Sequence, residues 1–200
     1  DYSDGTIRNK VIVGHKRSAI YWANWVTGVA AALLLAGAYL LAYCGLGVFL
    51  LDAPASPAAQ TAAFFAIGLF ALVAYMSLFT LLSMLLTKRS SSGMLCILMF
   101  WGLFIFSGML QSRLDAPELL PQFAMVDGVE QVEMVPNPQY LQPGARRVCQ
   151  FLMDLFPSGQ TIELLFGNVV HPFRLPVYSA AFSAATTALG IFAFRKKDLK

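Results

Sequence analysis

Charge is scarce in this 200-residue chain: Lys, Arg, Asp and Glu together make up 12% of it, where soluble globular domains carry about a quarter. Val26 to Leu51, among other long stretches, holds no charged residue at all. With a hydrophobic content of 58%, this excludes a disordered chain and a nucleic-acid-binding domain, both of which need many charges. Cysteine is rare as well. Cys44, Cys96 and Cys149 form no C-x-x-C, which excludes a disulfide scaffold and leaves Cys44 and Cys96 to read as small buried hydrophobes. No Asn-x-Ser/Thr acceptor, G-x-S-x-G elbow or G-x-x-x-x-G-K-[ST] loop occurs. Without that loop the chain is not itself a nucleotide hydrolase of the P-loop type. The polar start at Asp1, Tyr2, Ser3 and Asp4 is not the pattern expected of a secretory leader, and a start without Met is expected of a fragment or a processed chain.

Apolar length is what the chain has. A bilayer core about 30 Å thick takes about 20 apolar helical residues, with about 17 as the lower bound, and four charge-free runs reach it: 21–51, 61–87, 93–110 and 175–194. All four are apolar on every side, so the expected fold is all-α, a polytopic membrane bundle with four transmembrane helices. Tyr21, Trp22 and Trp25 suit the headgroup region at the start of the first. Between the runs lie a loop over 52–60 with Pro54 and Pro57, a polar turn over 88–92, and a Pro-punctuated acidic segment over 111–174. Only that last segment, before the final helix, is large enough for a subdomain outside the membrane.

Cytoplasmic segments of membrane proteins are enriched in Lys and Arg. With both ends cytoplasmic, segment 1–20, the 88–92 turn and the 195–200 tail hold ten of the 14 basic residues and only Asp1, Asp4 and Asp198 of the acids. The inner segments then sum to +7 and the outer ones to −4. Segment 111–174 is therefore expected on the extracytoplasmic face. The only histidines, His15 and His171, fall on opposite sides of the bilayer, which leaves no ligand set able to converge on a metal.

Ile7 and Val11 are four residues apart, so a short amphipathic helix is expected there, serving either as an interfacial anchor among anionic lipid heads or as a docking element for a cytoplasmic partner. In the outer segment, Pro136-Asn137-Pro138 signals a turn. Val148, Phe151, Leu152, Leu155 and Phe156 then share one helix face, Pro157-Ser158-Gly159 interrupts it, and Ile162, Leu164, Leu165 and Phe166 begin a second short stretch. Two short helices lying on or dipping into the outer leaflet fit this pattern. Residues 123–135 fit no element. Asp154 and Glu163 read as solvated carboxylates rather than a catalytic pair. No span carries a formal charge, which argues against a carboxylate proton relay. Small residues repeat at intervals of four instead: Gly28, Ala32 and Ala36 in the first span, Ala180, Ala184 and Ala188 in the fourth, and Ser179, Ser183 and Thr187 beside them. They read as helix-packing faces with side-chain hydrogen bonds, or as the wall of a substrate path.

Three stretches together resemble the permease subunits of ABC-2 type ATP-binding-cassette exporters: Asp4-Gly5-Thr6-Ile7-Arg8-Asn9-Lys10 continuing to Val13-Gly14-His15-Lys16-Arg17 and Ile20-Tyr21; Pro136-Asn137-Pro138-Gln139-Tyr140 with Phe156-Pro157-Ser158-Gly159-Gln160; and Ala193-Phe194-Arg195-Lys196-Lys197-Asp198-Leu199. The resemblance implies a bacterial cell-membrane half-transporter of six helices, of which these four are the last, with the first two missing. It implies that Gly5, Thr6, Ile7, Arg8, Asn9, Lys10, His15, Lys16 and Arg17 form a cytoplasmic segment coupled to a separate ATPase subunit. ATP and Mg would sit on that subunit, and this chain would bind no cofactor and catalyse nothing. A second permease subunit and the lipid bilayer would be the other partners, and nucleic acid would not be one. The contrasting expectation is a membrane sensor or assembly module whose outer subdomain binds a peptide or envelope component.

Overall fold

The computed structural model describes residues 6–51, 57–86, 89–126 and 129–197. A short helix α1 (Thr6–Ile12) leads through a turn at Gly14, whose φ of 96° is glycine territory, into α2 (Arg17–Ala42). A π-helical turn over Tyr43–Gly47 widens the end of α2, at a stretch with two weak helix formers, Gly45 and Gly47, before α3 (Val48–Leu51). Two long helices follow, α4 (Ala58–Leu85) and α5 (Arg89–Leu114). After an antiparallel hairpin, β1 (Leu119–Val126) and β2 (Val129–Pro136), come α6 (Pro143–Leu155), α7 (Pro157–Phe166) and α8 (Arg174–Lys196).

Four of these helices are long and apolar enough to cross a membrane: Arg17–Gly47, Ala58–Leu85, Ser90–Leu114 and Arg174–Lys196. The helical membrane-type bundle expected from the apolar runs is present, with a β-hairpin added to it. Of the unassigned residues 123–135, those described belong to two strands, which pair with Leu119 opposite Pro136 and Val126 opposite Val129. Helix bounds also run beyond the charge-free windows. Arg17 and Arg89 already belong to helices, so the first long helix begins four residues before the charge-free run at 21, and most of the 88–92 turn is the start of α5. Helices continue into the polar boundary, where charged side chains extend to water.

The core centres on α4, which packs most extensively on α8 and also touches α2, α5 and α7. On α8 the buried residues are Leu175, Ser179, Ser183, Thr186, Thr187, Gly190 and Phe194, one face of a helix made mainly of small side chains that let backbones approach. Ser179, Ser183 and Thr187 thus lie in the predicted packing face. Ala180, Ala184 and Ala188 do not: they lie on the exposed side, because a step of one residue turns a helix by about 100°. Gly28 faces Met76 of α4, 3.0 Å from where a Cβ would be, while Ala32 and Ala36 are half-buried. Trp25 ties α2 to α4 by donating from Nε1 to Ser77 Oγ at 2.8 Å.

Tyr21 is not a headgroup anchor. It is fully buried, lying over Gly190 of α8 so closely that any Cβ there would meet its ring. Cys44 is exposed and Cys96 half-buried, so neither is the enclosed apolar residue expected from its surroundings. Large apolar side chains such as Leu34, Leu35, Ile97, Leu98 and Trp101 point outward. In a lipid solvent this arrangement costs nothing, because the tails are as apolar as the side chains.

Candidate functional site

The two ends of the bundle each concentrate polar chemistry. At one end α1, the start of α2, and the last turns of α4 and α8 meet in a core of Ile7, Ile20, Tyr21, Met84 and Phe194, with Val11 and Trp25 packed against it. The amphipathic pattern of Ile7 and Val11 is therefore used, but inward. Arg17 reaches across from α2 and donates to the carbonyls of Phe194, Arg195 (2.9 Å) and Lys197 at the end of α8. These are the carbonyls a helix C-terminus leaves unpaired, and a cation there is doubly favoured. Lys197 Nζ in turn donates to Met84 O at 3.0 Å, closing the end of α4.

This geometry divides the predicted coupling residues. Ile7 and Arg17 are turned into the fold and strap α1 and α2 to α4 and α8. Asn9, His15 and Lys16 are exposed, as are Ile12 (70%) and Val13 (79%) on the turn between α1 and α2, while Lys10 is half-buried. Gly5 and the side chains of Thr6 and Arg8 lie outside the described residues. What this end offers outward is a small apolar knob, Ile12-Val13, beside a basic rim.

At the other end, α6 and α7 form a helical hairpin. Phe156 is extended (φ −83°, ψ 134°), as a residue before proline prefers, and Pro157 starts α7. Each residue of Phe156-Pro157-Ser158-Gly159-Gln160 has a task. Phe156 packs edge-on against Phe106 and Phe182. Ser158 Oγ is 2.7 Å from Ser107 Oγ of α5, in full burial. Gly159 lies against the backbone of α6, where a Cβ would stand 2.2 Å from Met153 O. Gln160 is completely buried and uses its whole amide: Nε2 donates to Asp154 O (2.7 Å) and Leu175 O (3.1 Å), and Oε1 accepts from Ser179 Oγ (2.7 Å). Ser107 lies seven residues before the end of α5, so at 1.5 Å per residue the hairpin tip sits about 10 Å below that end. Irregular backbone is tolerated at such depth only when protein covers it, and residues 157–160 are all buried.

The carboxylates expected in solvent are inside this hairpin. Asp154 is 3% exposed and Glu163 1% exposed. Gln150 Nε2 donates to both, to Asp154 Oδ1 at 2.9 Å and Glu163 Oε1 at 2.7 Å. His171, from the α7–α8 connection, places Nδ1 3.1 Å from Asp154 Oδ2, off the line of a hydrogen bond. Glu163 Oε2 has no hydrogen-bond partner among the described residues. Burial pushes the Glu163 carboxyl up to about 7; the Gln150 amide opposes this, the Asp154 charge adds to it, and the nearby Val170 N–H, which does not bond Oε2, opposes it.

The reason for the reversal is the solvent. Val148 and Phe151 of α6 are exposed while Asp154 is buried, so the start of the apolar stripe faces outward and the Gln150–Asp154 side faces inward. An apolar stripe marks the core side in water but the lipid side in a membrane. The Pro136-Asn137-Pro138 turn reading holds: Asn137 Nδ2 donates to Pro117 O (2.8 Å) and its Oδ1 accepts from Gln139 N–H (2.9 Å), closing the base of the β-hairpin. Among the described residues no group of three or more His, Cys, Asp or Glu is placed to hold a metal ion.

The chain matches no protein-family model, no curated protein and no solved structure.

Proposed function

We propose that this chain is the membrane-spanning permease part of an ABC-2 type exporter, moving a substrate outward on energy supplied by ATP hydrolysis in a separate subunit. The observation that carries the reading is the strapped elbow at the terminal end. Force applied to the exposed Ile12-Val13 turn passes through Ile7 and Arg17 directly to the ends of α4 and α8, the best-packed helix pair in the bundle. A rigid elbow with an outward apolar knob and a basic rim suits a groove on a partner that carries acidic residues. ATP and Mg belong to that partner, and a second permease subunit completes the path. The charge asymmetry supports an elbow in the cytoplasm and an α6–α7 hairpin on the outer side of a bacterial cell membrane.

Co-purification of the full-length protein with candidate ATPase subunits tests this. A stable complex whose ATPase activity drops on Val13→Glu or Lys16→Glu supports the proposal, and failure to associate with any ATPase subunit overturns it. One observation favours a different reading, a sensor or assembly module: the β-hairpin exposes Phe123, Val132 and Met134, an apolar surface suited to a peptide or envelope component. That reading predicts function that persists without an ATPase partner.

A further inference from the structure

Asp154, Glu163 and His171 come from three consecutive segments, α6, α7 and the α7–α8 connection, and meet where the hairpin seats on α8. Two features set them apart from a structural ion pair. Both carboxylates accept from one amide nitrogen of Gln150, so they are close neighbours with no cation between them. Glu163 Oε2 is buried and has no partner among the described residues, a position in which a carboxylate oxygen is costly and a protonated one is not. His171, whose side chain is 32% exposed, connects the cluster to solvent.

We propose that Asp154, Glu163 and His171 form a proton-binding site that couples the seating of the α6–α7 hairpin on the bundle to the pH of the compartment this end faces. With the proton on Glu163, a single negative charge remains, on Asp154, and Gln150 and His171 face it. When the proton leaves, two adjacent buried carboxylates share the Gln150 amide, and the hairpin relieves the repulsion by loosening. His171 places Nδ1 3.1 Å from Asp154 Oδ2, on the solvent side of the pair. Among the described residues no other charged group offsets this repulsion. Helix α4 has no charged residue, and its Tyr75 lies by Ser158 and Thr161 of α7. Helix α5 brings Arg113, exposed at its end, and Cys96, held near Phe79 O on α4. Arg146 of α6 is committed to Leu114 O and Arg147 is exposed. Helix α8 brings exposed Arg174, and Tyr178, which packs on Phe151.

A metal ion is a poorer occupant, because the Gln150 amide presents hydrogens to both carboxylates and, among the described residues, no three His, Cys, Asp or Glu are grouped so as to hold one. The site depends on the hairpin being buried in a membrane protein and is independent of the exporter reading.

The test uses the full chain in lipid nanodiscs. Infrared difference spectra between about pH 5.5 and about pH 8.5 report a carboxylic acid still protonated at the lower value, where exposed Asp and Glu are ionised. Hydrogen exchange over 150–166, corrected for the intrinsic pH dependence, reports seating. The expected result is a carboxylic-acid band that disappears by the higher pH, together with at least a tenfold fall in protection. In Glu163→Gln, a neutral isostere, the band should be missing and protection should stay high at both values. Asp154→Asn, which removes the neighbouring charge that raises the Glu163 carboxyl, should move the band's titration to lower pH by at least half a unit. A wild-type spectrum with no such band, or protection that falls equally with pH in Glu163→Gln, overturns the proposal. If Glu163→Gln does not fold, the wild-type band and its shift in Asp154→Asn decide the matter.

Discussion

Replacing Gly159 by Ala puts one methyl group where the hairpin has no room. The new Cβ would lie 2.2 Å from Met153 O, 2.6 Å from its Cα and 2.8 Å from its carbonyl carbon, and all three atoms are backbone, so no rotamer change relieves the clash. The two helices must separate by about 1 Å to restore ordinary contact. Overpacking of this kind costs about 1–3 kcal/mol, and the same displacement disturbs the Gln160 bonds to Asp154 O, Leu175 O and Ser179, each worth about 1 kcal/mol. Against this, Ala is a better helix former than Gly by about 1 kcal/mol. The net expectation is a loss of about 2 to 4 kcal/mol. Reversible unfolding in mixed micelles measures it, with Gly144→Ala as control. Gly144 has no atom within 4 Å of its Cβ position, so the control should be neutral or slightly stabilising. A Gly159→Ala protein within about 0.5 kcal/mol of the parent would refute the re-entrant packing of α7 on α6.

Gly190→Ala should destabilise by a similar amount, because its Cβ would meet the buried Tyr21 ring; a double-mutant cycle with Tyr21→Ala should give coupling above about 1 kcal/mol, and additive effects would contradict the contact. Ser107→Ala and Ser158→Ala should each cost about 1–2 kcal/mol, since each strands a buried hydroxyl, whereas the double substitution should cost clearly less than their sum. Stability should also depend on pH through Glu163. Its folded value of about 7 lies above the ordinary 4.5, so its contribution is complete below about pH 4.5 and lost as pH rises to about 7, amounting to about 3 kcal/mol at most. Melting curves across that range should flatten in Glu163→Gln, and an unchanged slope would contradict the assignment.

The bundle was legible because four runs of this length have one stable solution in lipid. The α6 and α7 helices were legible from the spacing of Val148, Phe151, Leu152 and Leu155, with Pro157 as the break. Their orientation was not, because a helical period locates an apolar face without saying whether protein or lipid covers it. Asp154 and Glu163 were misread as solvated for that reason: in lipid, a polar residue opposite an apolar stripe is the interior one. The warning was present in Gln150, Asp154, Gln160 and Glu163, polar side chains too closely grouped for a helix that dips into a leaflet. The hairpin over 119–136 escaped because Val126, Val129, Val132 and Val135 recur at threes, a period that belongs to neither a helix nor a strand. At the terminal end, the one-residue offset between Ala180, Ala184, Ala188 and the Ser/Thr stripe needed the position of α4, which no local pattern contains. Arg17 looked like a docking residue because its partners are main-chain carbonyls about 180 residues away.

The central claim is that the elbow between α1 and α2 is the surface an ATPase subunit grips. Site-specific photo-crosslinking in cells tests it most directly, with the photoreactive side chain at exposed Val13 or, as comparison, at exposed Val132 of the β-hairpin. The account predicts an adduct of the size of an ATPase subunit from position 13 and none from position 132. No such adduct from position 13, or equal adducts from both, would contradict it.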